Sequence, residues 1–374
     1  MSESKFSLGK VSVISGCGFV GSYIVDILRT ECKASVYILS RNSSKEPNKF
    51  PDVQYFDADI SSIKQVLPIF EKIRPDVVIN TVSPPPTSST AEMFWKINVE
   101  GTRCLLDASK KTGVKAFVYT SSSTVIKNNP TMSLENADET WPVITGASQK
   151  DPYLRSKAEA ENMVIAAHRQ NGLLTCALCA SAIFGERDRN SLPGFVQRYN
   201  EGKTGVQIGD NSNIFDWTYV GNHAYAHILA ADALLKAHSS LAPIPENKRV
   251  DGEVFYTTND EPRWHFWDLP HALWVSLADA IGDGKLEIKP KVIPLWQATL
   301  MAYIITSICW LMGKKSPMQP AMVSHCCRTA YFNNSKAKER LGYRVRVPLD
   351  EAVQRSVKWC IETGIVQPQS KKNK

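Results

Sequence analysis

The stretch "VSVISGCGFVGSYIVDILRTE", residues 11–31, decides the fold. Its first residues form a short apolar run typical of a buried strand, and its last residues have the apolar spacing of a helix. Gly16, Gly18 and Gly21 lie between them in the pattern GxGxxG. In that context the first glycine permits a tight turn, the second lets the backbone approach a pyrophosphate, and the third allows close helix–strand packing. We therefore predict a strand–loop–helix unit that binds a dinucleotide phosphate at the helix N-terminus.

Further apolar runs alternate with helical patterns downstream of this unit. The strand-like runs are SVYILS, VQYFDADI, DVVINTVS and AFVYTSSS, and helical patterns such as SIKQVLPIFEKI and NVEGTRCLLDASKKTG separate several of them. Strands that alternate with helices of this length form parallel sheets with helices on both faces. The sequence therefore predicts an α/β protein with a Rossmann-type doubly wound parallel sheet and a smaller C-terminal substrate-binding domain.

The alternation weakens beyond about residue 190, where loop-rich sequence takes over. We predict an NAD(P)-binding Rossmann domain over residues 1–190, with residues 216–240 folding back onto it. Residues 191–374 are predicted to form the substrate-binding region. Within that region we expect an apolar helix at 295–312 and a disordered polar tail at 367–374.

Composition narrows the possible partners and compartments. The chain has 374 residues and a net charge of +7, spread along the sequence without a Lys/Arg stripe, so nucleic acid is not an expected partner. Nine scattered cysteines favour a reducing compartment over a disulfide scaffold. Cys176 and Cys179 form a CxxC inside a predicted buried strand, and the pair His223 and His227 lacks a third ligand. Both pairs are interpreted as structural, and no metal site is predicted.

Tyr153 and Lys157 raise the question of catalysis. They lie four residues apart in DPYLRSKAEAENMV, which has the composition of a helix with Pro152 in its first turn. This spacing puts a phenol and an ammonium on one helix face, although a chance pair on a solvated surface would look the same. Ser122 follows the predicted strand AFVYT at the carboxyl edge of the sheet, where ligands bind in such folds.

These motifs occur together, and in order, in one family. The chain resembles the extended short-chain dehydrogenases/reductases, within them the 3β-hydroxysteroid dehydrogenase family, and most narrowly the decarboxylating sterol-4α-carboxylate 3-dehydrogenases. The residues that carry the resemblance cover nearly the whole chain, and they are GCGFVGS, NVEGTRCLLDASKKTGVKAFVYTSSSTVI, NADETWPV, YLRSK, IGDNSNIFDWTYVGN, FYTTNDEP and YFNNSKAKERLGYRVRVPLDEAVQRSVKW.

The resemblance implies roles for individual residues. Tyr153, Lys157 and Ser122 are the expected catalytic residues, with Ser123 and Thr124 as neighbouring alternatives for the serine. The expected cofactor-binding residues are Gly16, Gly18, Phe19, Val20, Gly21, Ser40, Arg41, Asp59, Ile60, Val82, Ser83, Tyr153, Lys157, Ala180 and Ile183. The family has Arg-Pro where this chain has Cys179-Ala180, and this difference puts the local packing and the pose of the substrate in question.

The residues at the end of the second predicted strand indicate whether the cofactor is NAD or NADP. An acidic residue there would bind the adenosine ribose of NAD, but this chain has Ser40 followed by Arg41. A guanidinium can pair with a 2′-phosphate, so NADP is the preferred cofactor and NAD the alternative. Asp59 follows the third strand, where its side chain could reach the adenine or act as a helix N-cap.

The resemblance also implies a substrate and a reaction. These are a 4α-carboxysterol and the oxidation of its 3β-hydroxyl to a ketone with loss of CO2, in sterol synthesis. One alternative is a tailoring dehydrogenase or ketoreductase acting on another triterpenoid or terpenoid in secondary metabolism. A nucleotide-sugar epimerase is a second enzyme class, and an NADP-binding sensor is the non-enzyme alternative. Aromatic residues are abundant in the C-terminal half, and most are expected to lie in the core.

The uncharged run LWQATLMAYIITSICWLM, residues 295–312, predicts association with a membrane. Its length at helical rise is close to the hydrocarbon thickness, with Trp296 and Trp310 near its ends. A full crossing would separate the block after it from the rest of the substrate domain, so we expect a monotopic or re-entrant helix on the cytosolic face of the endoplasmic reticulum. A buried helix in a cytoplasmic protein is the alternative. Further expected partners are other sterol C4-demethylation enzymes and a second copy of the chain.

Overall fold

A computed structural model describes residues 6–366, apart from 48, 87–88, 130, 260–262, 315 and 317. The strands are β1 (Phe6–Ile14), β2 (Cys32–Ser40), β3 (Val53–Asp57), β4 (Val77–Asn80), β5 (Ala116–Thr120), β6 (Leu134–Ala137), β7 (Leu174–Cys179), β8 (Ile183–Phe184), β9 (Val206–Ile208), β10 (Thr218–Tyr219), β11 (Glu253–Tyr256), β12 (Lys291–Ile293) and β13 (Ala330–Phe332). The helices are α1 (Phe19–Glu31), α2 (Ile63–Ile73), α3 (Ala91–Phe94), α4 (Gly101–Thr112), α5 (Pro152–Ala166), α6 (Leu192–Asn200), α7 (Val220–Ser239), α8 (Asp268–Ala280), α9 (Leu295–Leu311), α10 (Pro320–Cys327), α11 (Ser335–Arg340) and α12 (Leu349–Glu362).

A seven-stranded parallel sheet organises the N-terminal half. Its strand order is β11-β7-β5-β4-β1-β2-β3, so the order reverses on either side of β1. Val11 of β1 is in register with Val36 of β2 and with Val77 of β4. In sheets of this kind ligands bind beyond the carboxyl ends of the strands, at the point where the order reverses. The predicted doubly wound parallel sheet is confirmed.

Helices cover both faces of the sheet and bury its strands. β4, β5 and β7 are buried along their whole length, as expected for central parallel strands read from continuous apolar runs. Cys176 and Cys179 are buried within β7, as the sequence predicted. One face packs against α2, α4 and α5, and the other against α1 and α7. The site at the sheet edge therefore lies on a rigid support.

Two segments of the C-terminal half pack onto this sheet. Helix α7 contributes Ala224, Ile228 and Leu234 to the same core as β1 and α1. Strand β11 pairs in parallel with β7 and extends the sheet at its edge. The sequence did not predict the position of β11, because four residues bounded by loops show no periodicity that could assign them to one sheet. The predicted domain boundaries remain a prediction.

The second core is rich in aromatic residues. It joins α6, α8 and α12 with the loops before β10 and α8. The aromatic side chains that are buried there include Phe215, Trp217, Tyr219, Phe266, Trp267 and Trp274, whereas Trp264 is only partly buried. Most of these aromatic residues of the C-terminal half thus lie in the core, as the sequence predicted. They show how the region folds and do not identify a ligand.

Helix α9 is apolar and mostly exposed. Ala298 and Ala302 are its buried residues, and they pack against Val323 of α10. Trp296 is 67% exposed and Trp310 is 78% exposed. An ordinary buried helix, the alternative considered from the sequence, does not agree with this exposure, because Ala298 and Ala302 are the only fully buried residues of α9. Among the described residues, no helix combines the length and the apolar character needed to cross a bilayer. The tail predicted to be disordered lies outside the described residues.

Candidate functional site

The glycine-rich loop joins β1 to α1 in a tight turn. Ser15 adopts a positive φ of 63°, and its carbonyl accepts a hydrogen bond of 2.8 Å from the N–H of Gly18. Gly18 is the N-cap of α1, whose first turn begins at Phe19 and carries no acidic side chain. The free N–H groups and the positive end of this helix therefore face the carboxyl edge of the sheet, where they can bind an anionic phosphate.

Crowding explains why this loop requires glycine. A Cβ atom on Gly21 would lie 2.2 Å from the carbonyl oxygen of Ser15, and one on Gly18 would lie 3.0 Å from the same oxygen. Both contacts involve backbone, which cannot move aside as a flexible side chain could. The sequence prediction that these glycines permit close approach agrees with this geometry, and the residues present fit a dinucleotide pyrophosphate.

The end of β2 contains both a cation and an anion. Arg41 is exposed and forms no ion pair with any described residue. Cys17 in the glycine-rich loop has its pKa raised by burial and by the nearby Glu46 carboxylate, and it is hydrogen-bonded to Ser40. Glu46 is thus an acidic group close to the loop that the sequence analysis missed, because it lies in the next turn rather than directly after the strand.

Four of the predicted cofactor-binding residues follow the carboxyl ends of β3 and β4. Asp59 accepts hydrogen bonds from the N–H and hydroxyl of Ser61 and forms an ion pair of 3.1 Å with Lys96. The N-cap of α2 is Ser62, so the alternative role of Asp59 as the N-cap of this helix is wrong. Ile60 is buried, whereas Val82 and Ser83 follow β4 at the same edge of the sheet.

Tyr153 and Lys157 lie on the first two turns of α5. Asp151 caps this helix by accepting hydrogen bonds from the N–H groups of Tyr153 and Leu154, and Pro152 occupies its first position, as its fixed φ favours. The Tyr153 ring packs edge-to-face on Phe94, with centroids 5.4 Å apart. Burial raises the pKa of Tyr153 to about 12, and hydrogen bonds from side-chain hydroxyls of Ser83 and Ser122 act against this shift.

Ser122 is one of the two serines, with Ser83, whose hydroxyl hydrogen-bonds Tyr153. It precedes the short 3₁₀ helix Ser123–Ile126 and lies 3.0 Å from the Thr124 hydroxyl. Ser123 is fully buried and its hydroxyl has no hydrogen-bond partner among the described residues. The contact with Tyr153 therefore favours Ser122 over Ser123 and Thr124, the two neighbours that the sequence left open.

Lys157 is deeply buried, at 2% exposure. Its Nζ donates a hydrogen bond of 2.5 Å to the carbonyl oxygen of Thr120 and lies 4.4 Å from the centroid of the Tyr119 ring. Burial lowers the pKa of Lys157 to about 7, and nearby Cys179 and Glu161 act against this shift. In the structure the amine is thus held against the end of β5, one turn from Tyr153.

A buried polar network supports this lysine. The Thr120 hydroxyl lies 2.7 Å from Nε2 of His227, and Nδ1 of His227 lies 2.8 Å from the carbonyl oxygen of His223. His223 in turn hydrogen-bonds Thr257. Burial lowers the pKa of both histidines, so both are neutral at physiological pH. The structural role that the sequence predicted for this pair agrees with these contacts, but its proximity to Lys157 could not be foreseen.

Two further polar contacts near the helix were not predicted. Glu161 is buried one turn after Lys157 and accepts a hydrogen bond from the thiol of Cys179, the residue that stands where the family has arginine. Asn98, in the π-helix Trp95–Glu100, donates to the hydroxyl of Ser156 between the two predicted catalytic residues. π-Helices often mark functional sites, yet no sequence pattern predicted this one.

The segment after β7 completes the edge of the site. The carbonyl of Ala180 accepts a hydrogen bond from Ser123, and Ala182 adopts a positive φ of 34°. Ile183 begins the short strand β8, which pairs with β10. The structure thus brings the predicted residues to one edge of the sheet. A surface depression of about 190 Å³ lies between α4 and the end of α5, and one of about 320 Å³ lies against α7; Tyr153 lines neither.

Comparison with known sequences places this chain among dehydrogenases. The 3-beta hydroxysteroid dehydrogenase/isomerase family matches residues 12–284, which include the glycine-rich loop, Ser122, Tyr153 and Lys157. This chain belongs to that family. A decarboxylating sterol-4-alpha-carboxylate 3-dehydrogenase of Candida albicans is 34% identical over 97% of this chain and 99% of its own length. The enzyme of the same name from Mus musculus is 28% identical over 93% of this chain and 90% of its own length.

Solved structures show the fold that this family member shares. A UDP-glucose 4-epimerase of Thermotoga maritima, solved with UDP-glucose, aligns with a TM-score of 0.68 at 22% identity, over 95% of this chain and 99% of the epimerase. A Bordetella bronchiseptica enzyme in complex with NAD+ has the same TM-score at 17% identity, over 95% of this chain and 99% of its own. At such identities the likeness concerns the fold alone.

Proposed function

We propose that this protein is an NAD(P)-dependent dehydrogenase of sterol synthesis. Its reaction would be oxidation of the 3β-hydroxyl of a 4α-carboxysterol to the 3-ketone with loss of CO2. The observation that carries the proposal is the convergence of Ser122, Tyr153 and Lys157 beside the glycine-rich loop, in a chain whose near-full-length relatives bear the name of this activity.

Tyr153 acts as the base for the substrate alcohol. A phenol with an unperturbed pKa of about 10 is a weak base near neutral pH, and burial alone raises the pKa of Tyr153 further. The phenolate must therefore be stabilised by the hydroxyls of Ser83 and Ser122 and by a neighbouring positive charge. Once ionised, Tyr153 removes the proton from the alcohol oxygen, while Ser122 hydrogen-bonds that oxygen and fixes its position.

Lys157 supplies the nearby charge and a fixed donor. Its protonated form favours a phenolate one helical turn away, and its hydrogen bond to Thr120 determines where the amine lies. When bound, a nicotinamide dinucleotide accepts a hydride from the alcohol carbon. The glycine-rich loop and the N-terminus of α1 orient the phosphates of that group, and the π-helix holds Ser156 and thereby the first turns of α5.

Loss of CO2 follows from the product of oxidation. A ketone beside the carbon that carries the carboxylate is a β-keto acid, and its carbonyl accepts the electron pair released when the carbon–carbon bond breaks. The resulting enolate then takes a proton to form the ketone. The protein needs only to position the substrate for oxidation.

Turnover of defined substrates tests the proposal against its rivals. A 4α-carboxysterol, a 3β-hydroxy triterpenoid without the carboxylate, and UDP-glucose are each incubated with the protein and with NAD or NADP. The proposal predicts reduced nicotinamide and decarboxylated ketone from the carboxysterol. Oxidation of the triterpenoid alone would indicate a tailoring dehydrogenase, and epimerisation of UDP-glucose would indicate a nucleotide-sugar epimerase. Binding of cofactor without turnover of any sterol would favour a sensor.

NADP is the proposed preferred cofactor, with NAD as the alternative. Arg41 is exposed at the end of β2 and has no ion-pair partner among the described residues, so its guanidinium can receive a 2′-phosphate. Glu46 acts in the opposite direction, because its carboxylate near Cys17 would repel that phosphate and could bind a ribose hydroxyl. The balance between these two side chains sets the cofactor preference.

Paired substitutions should shift the cofactor preference in opposite directions. We expect Arg41→Ala to lower the ratio of kcat/KM for NADP over NAD about 10-fold, since a charge-assisted contact with phosphate is lost. Glu46→Gln should raise the same ratio by removing the repulsion. Steady-state kinetics with both cofactors measures the ratio, and Lys45→Ala is the control for a nearby exposed cation. A ratio that Arg41→Ala leaves unchanged, in a protein that prefers NAD, would refute the preference for NADP.

The exposed face of α9 supports a location on the membrane surface. We propose that this helix lies in the interface of the endoplasmic-reticulum bilayer on its cytosolic side. Leu300, Ile304 and Ile308 are each about half exposed, whereas Ala298 and Ala302 are buried. The exposed tryptophans at the two ends suit the headgroup region, and lysines occur on both flanks of the helix. Because the polypeptide returns to the fold through α10, a monotopic arrangement is sufficient.

Charge on this face should abolish lipid binding. We expect wild-type protein to float with vesicles that contain anionic lipid, and the double variant Ile304→Glu, Ile308→Glu to stay in the soluble fraction. Leu241→Glu, at a fully exposed apolar position elsewhere, is the matched control and should float like the wild type. If the double variant floats normally but changes from dimer to monomer in light scattering, α9 is instead an interface between copies.

A further inference from the structure

Two cationic side chains and a histidine form a cluster that has no acidic ion-pair partner among the described residues. It consists of Lys127, His325 and Arg328, and is called here the Lys127–Arg328 cluster. These residues belong neither to the glycine-rich loop nor to the catalytic set of Ser122, Tyr153 and Lys157. Their charge and burial require a separate explanation.

Arg328 is the centre of the cluster. It lies in the loop between α10 and β13 and is 6% exposed. Its Nη2 donates a hydrogen bond of 3.2 Å to Nδ1 of His325, whereas Nε and Nη1 are buried and donate to no described residue. No carboxylate in the described part of the chain forms an ion pair with it. An arginine stays charged, and burying that charge without a counter-ion is unfavourable, so stability alone does not account for this residue.

Strand pairing puts Arg328 next to the segment that follows the catalytic serine. β13 pairs with β6, and Leu134 donates a hydrogen bond of 2.9 Å to the carbonyl of Thr329. Lys127 lies in that segment, directly after the 3₁₀ helix Ser123–Ile126. The carbonyl of Lys127 accepts a hydrogen bond of 2.7 Å from Gln149, which lies just before the N-cap of α5. Lys127 thus lies between Ser122 in the chain and the residues that lead into α5, the helix that carries Tyr153.

The charges around the cluster are predominantly positive. Burial and the nearby Arg328 lower the pKa of Lys127 to about 8, while Asp151 acts against this shift. Asp151 is the acidic group that faces Lys127, but its carboxylate is exposed and caps α5. Burial, Arg328 and Lys127 together lower the pKa of His325 to about 3, so this ring is neutral and serves as an acceptor for Arg328. Within the described part of the chain, no carboxylate forms an ion pair with Arg328.

We propose that Arg328, assisted by Lys127, binds the carboxylate of the substrate. This inference rests on the proposed function. The carboxylate of a 4α-carboxysterol is attached to the carbon next to the alcohol carbon, so a substrate whose alcohol oxygen contacts Tyr153 carries its negative charge close to that residue. The unpartnered N–H groups on Nε and Nη1 of Arg328 can each donate a charge-assisted hydrogen bond to a carboxylate oxygen.

The cluster determines which substrate is recognised and does not promote loss of CO2. A cation that holds the carboxylate stabilises the state before the carbon–carbon bond breaks. Its contribution therefore appears in kcat/KM for oxidation of the carboxylated sterol. Breakdown of the β-keto acid requires no help from Arg328.

Matched substrates measure this contribution directly. The assay compares kcat/KM for a 4α-carboxysterol with that for the 4α-methyl sterol of the same ring system, in both cases scoring reduced nicotinamide. We expect Arg328→Met to lower the ratio of the two values on the order of 100-fold, as for loss of one partner of a buried charge pair. Lys127→Met should lower it less, because Lys127 is only half-buried. Arg263→Met, an exposed arginine that packs on Tyr331, is the control and should leave the ratio unchanged.

The outcomes separate this inference from the proposed function. An equal loss on both sterols in the Arg328 and Lys127 variants would overturn the carboxylate site and leave the dehydrogenase proposal intact. A wild-type protein that oxidises the methyl sterol but not the carboxysterol would overturn the proposed substrate itself. If Arg328→Met does not fold, Arg328→Lys provides the test, because it keeps the charge and loses the guanidinium donors. Its ratio should fall below that of the wild type. An unchanged ratio in Arg328→Lys and Lys127→Met would contradict the inference.

Discussion

Replacing Tyr153 with phenylalanine is expected to lower kcat for sterol oxidation about 10²–10⁴-fold, the usual contribution of a positioned acid or base. The substitution removes one hydroxyl and keeps the ring, which packs on Phe94, so the fold and the binding of cofactor should persist. The loss should appear equally in kcat and kcat/KM, because the proton transfer occurs only in the transition state. Formation of reduced nicotinamide from a 4α-carboxysterol measures it.

A matched control exists on the same sheet. Tyr37 lies on β2, packs against Phe56 and is remote from α5, so Tyr37→Phe should retain wild-type turnover. Thermal unfolding of both variants checks that neither change alters the fold. If Tyr153→Phe retains most of the wild-type turnover with the true substrate, the role of this residue as the base is excluded.

Replacing Lys157 with methionine is expected to lower kcat/KM about 100-fold near neutral pH, because the phenolate of Tyr153 loses its cation. Loss of a positive charge raises the pKa of the phenol, so less of the base form is present. The loss should shrink as the pH rises above neutrality, since Lys157, with a pKa lowered by burial to about 7, then loses its charge in the wild type as well. A pH profile of kcat/KM measures both effects.

A control for Lys157→Met tests whether the loss in kcat/KM is specific to this lysine. Lys150→Met removes an exposed lysine shortly before α5 and should leave the profile unchanged. The buried amine also donates to Thr120, so Lys157→Met should lower the melting temperature somewhat. A loss in kcat/KM that is constant across the pH range would show that Lys157 only positions the helix or the cofactor and does not favour the phenolate.

The sequence predicted the parts of the fold that are local and periodic. The glycine-rich loop, the alternation of strands with helices and the buried strands all follow from patterns within a few tens of residues. Strand β11 could not be predicted, because its partner β7 lies far away in the sequence and its four residues show no distinctive period. Likewise, the exposure of α9 depends on how little of the fold covers it, which composition does not reveal.

The residues of the site likewise include some that the sequence could predict and some that it could not. Ser122, Tyr153 and Lys157 belong to motifs with fixed spacing, so the sequence could name them together. The sequence could not predict a role for Arg328, because a single arginine in a loop has no motif around it. The structure shows that this side chain is buried near Lys127 and has no carboxylate partner among the described residues. Glu46 was missed for a related reason, since the loop after β2 folds back toward Cys17 and brings the carboxylate to the cofactor site.

Transfer of deuterium from substrate to cofactor tests the central proposal most directly. A 4α-carboxysterol that carries deuterium at the alcohol carbon is incubated with wild-type protein and NADP or NAD, and the reduced nicotinamide, CO2 and 3-ketone are quantified. The proposal predicts one deuterium in the nicotinamide for each CO2 released and each ketone formed, with none of the three products in Tyr153→Phe beyond its residual rate. Release of CO2 without deuterium in the nicotinamide, or no reaction of the carboxysterol with either cofactor, would contradict it.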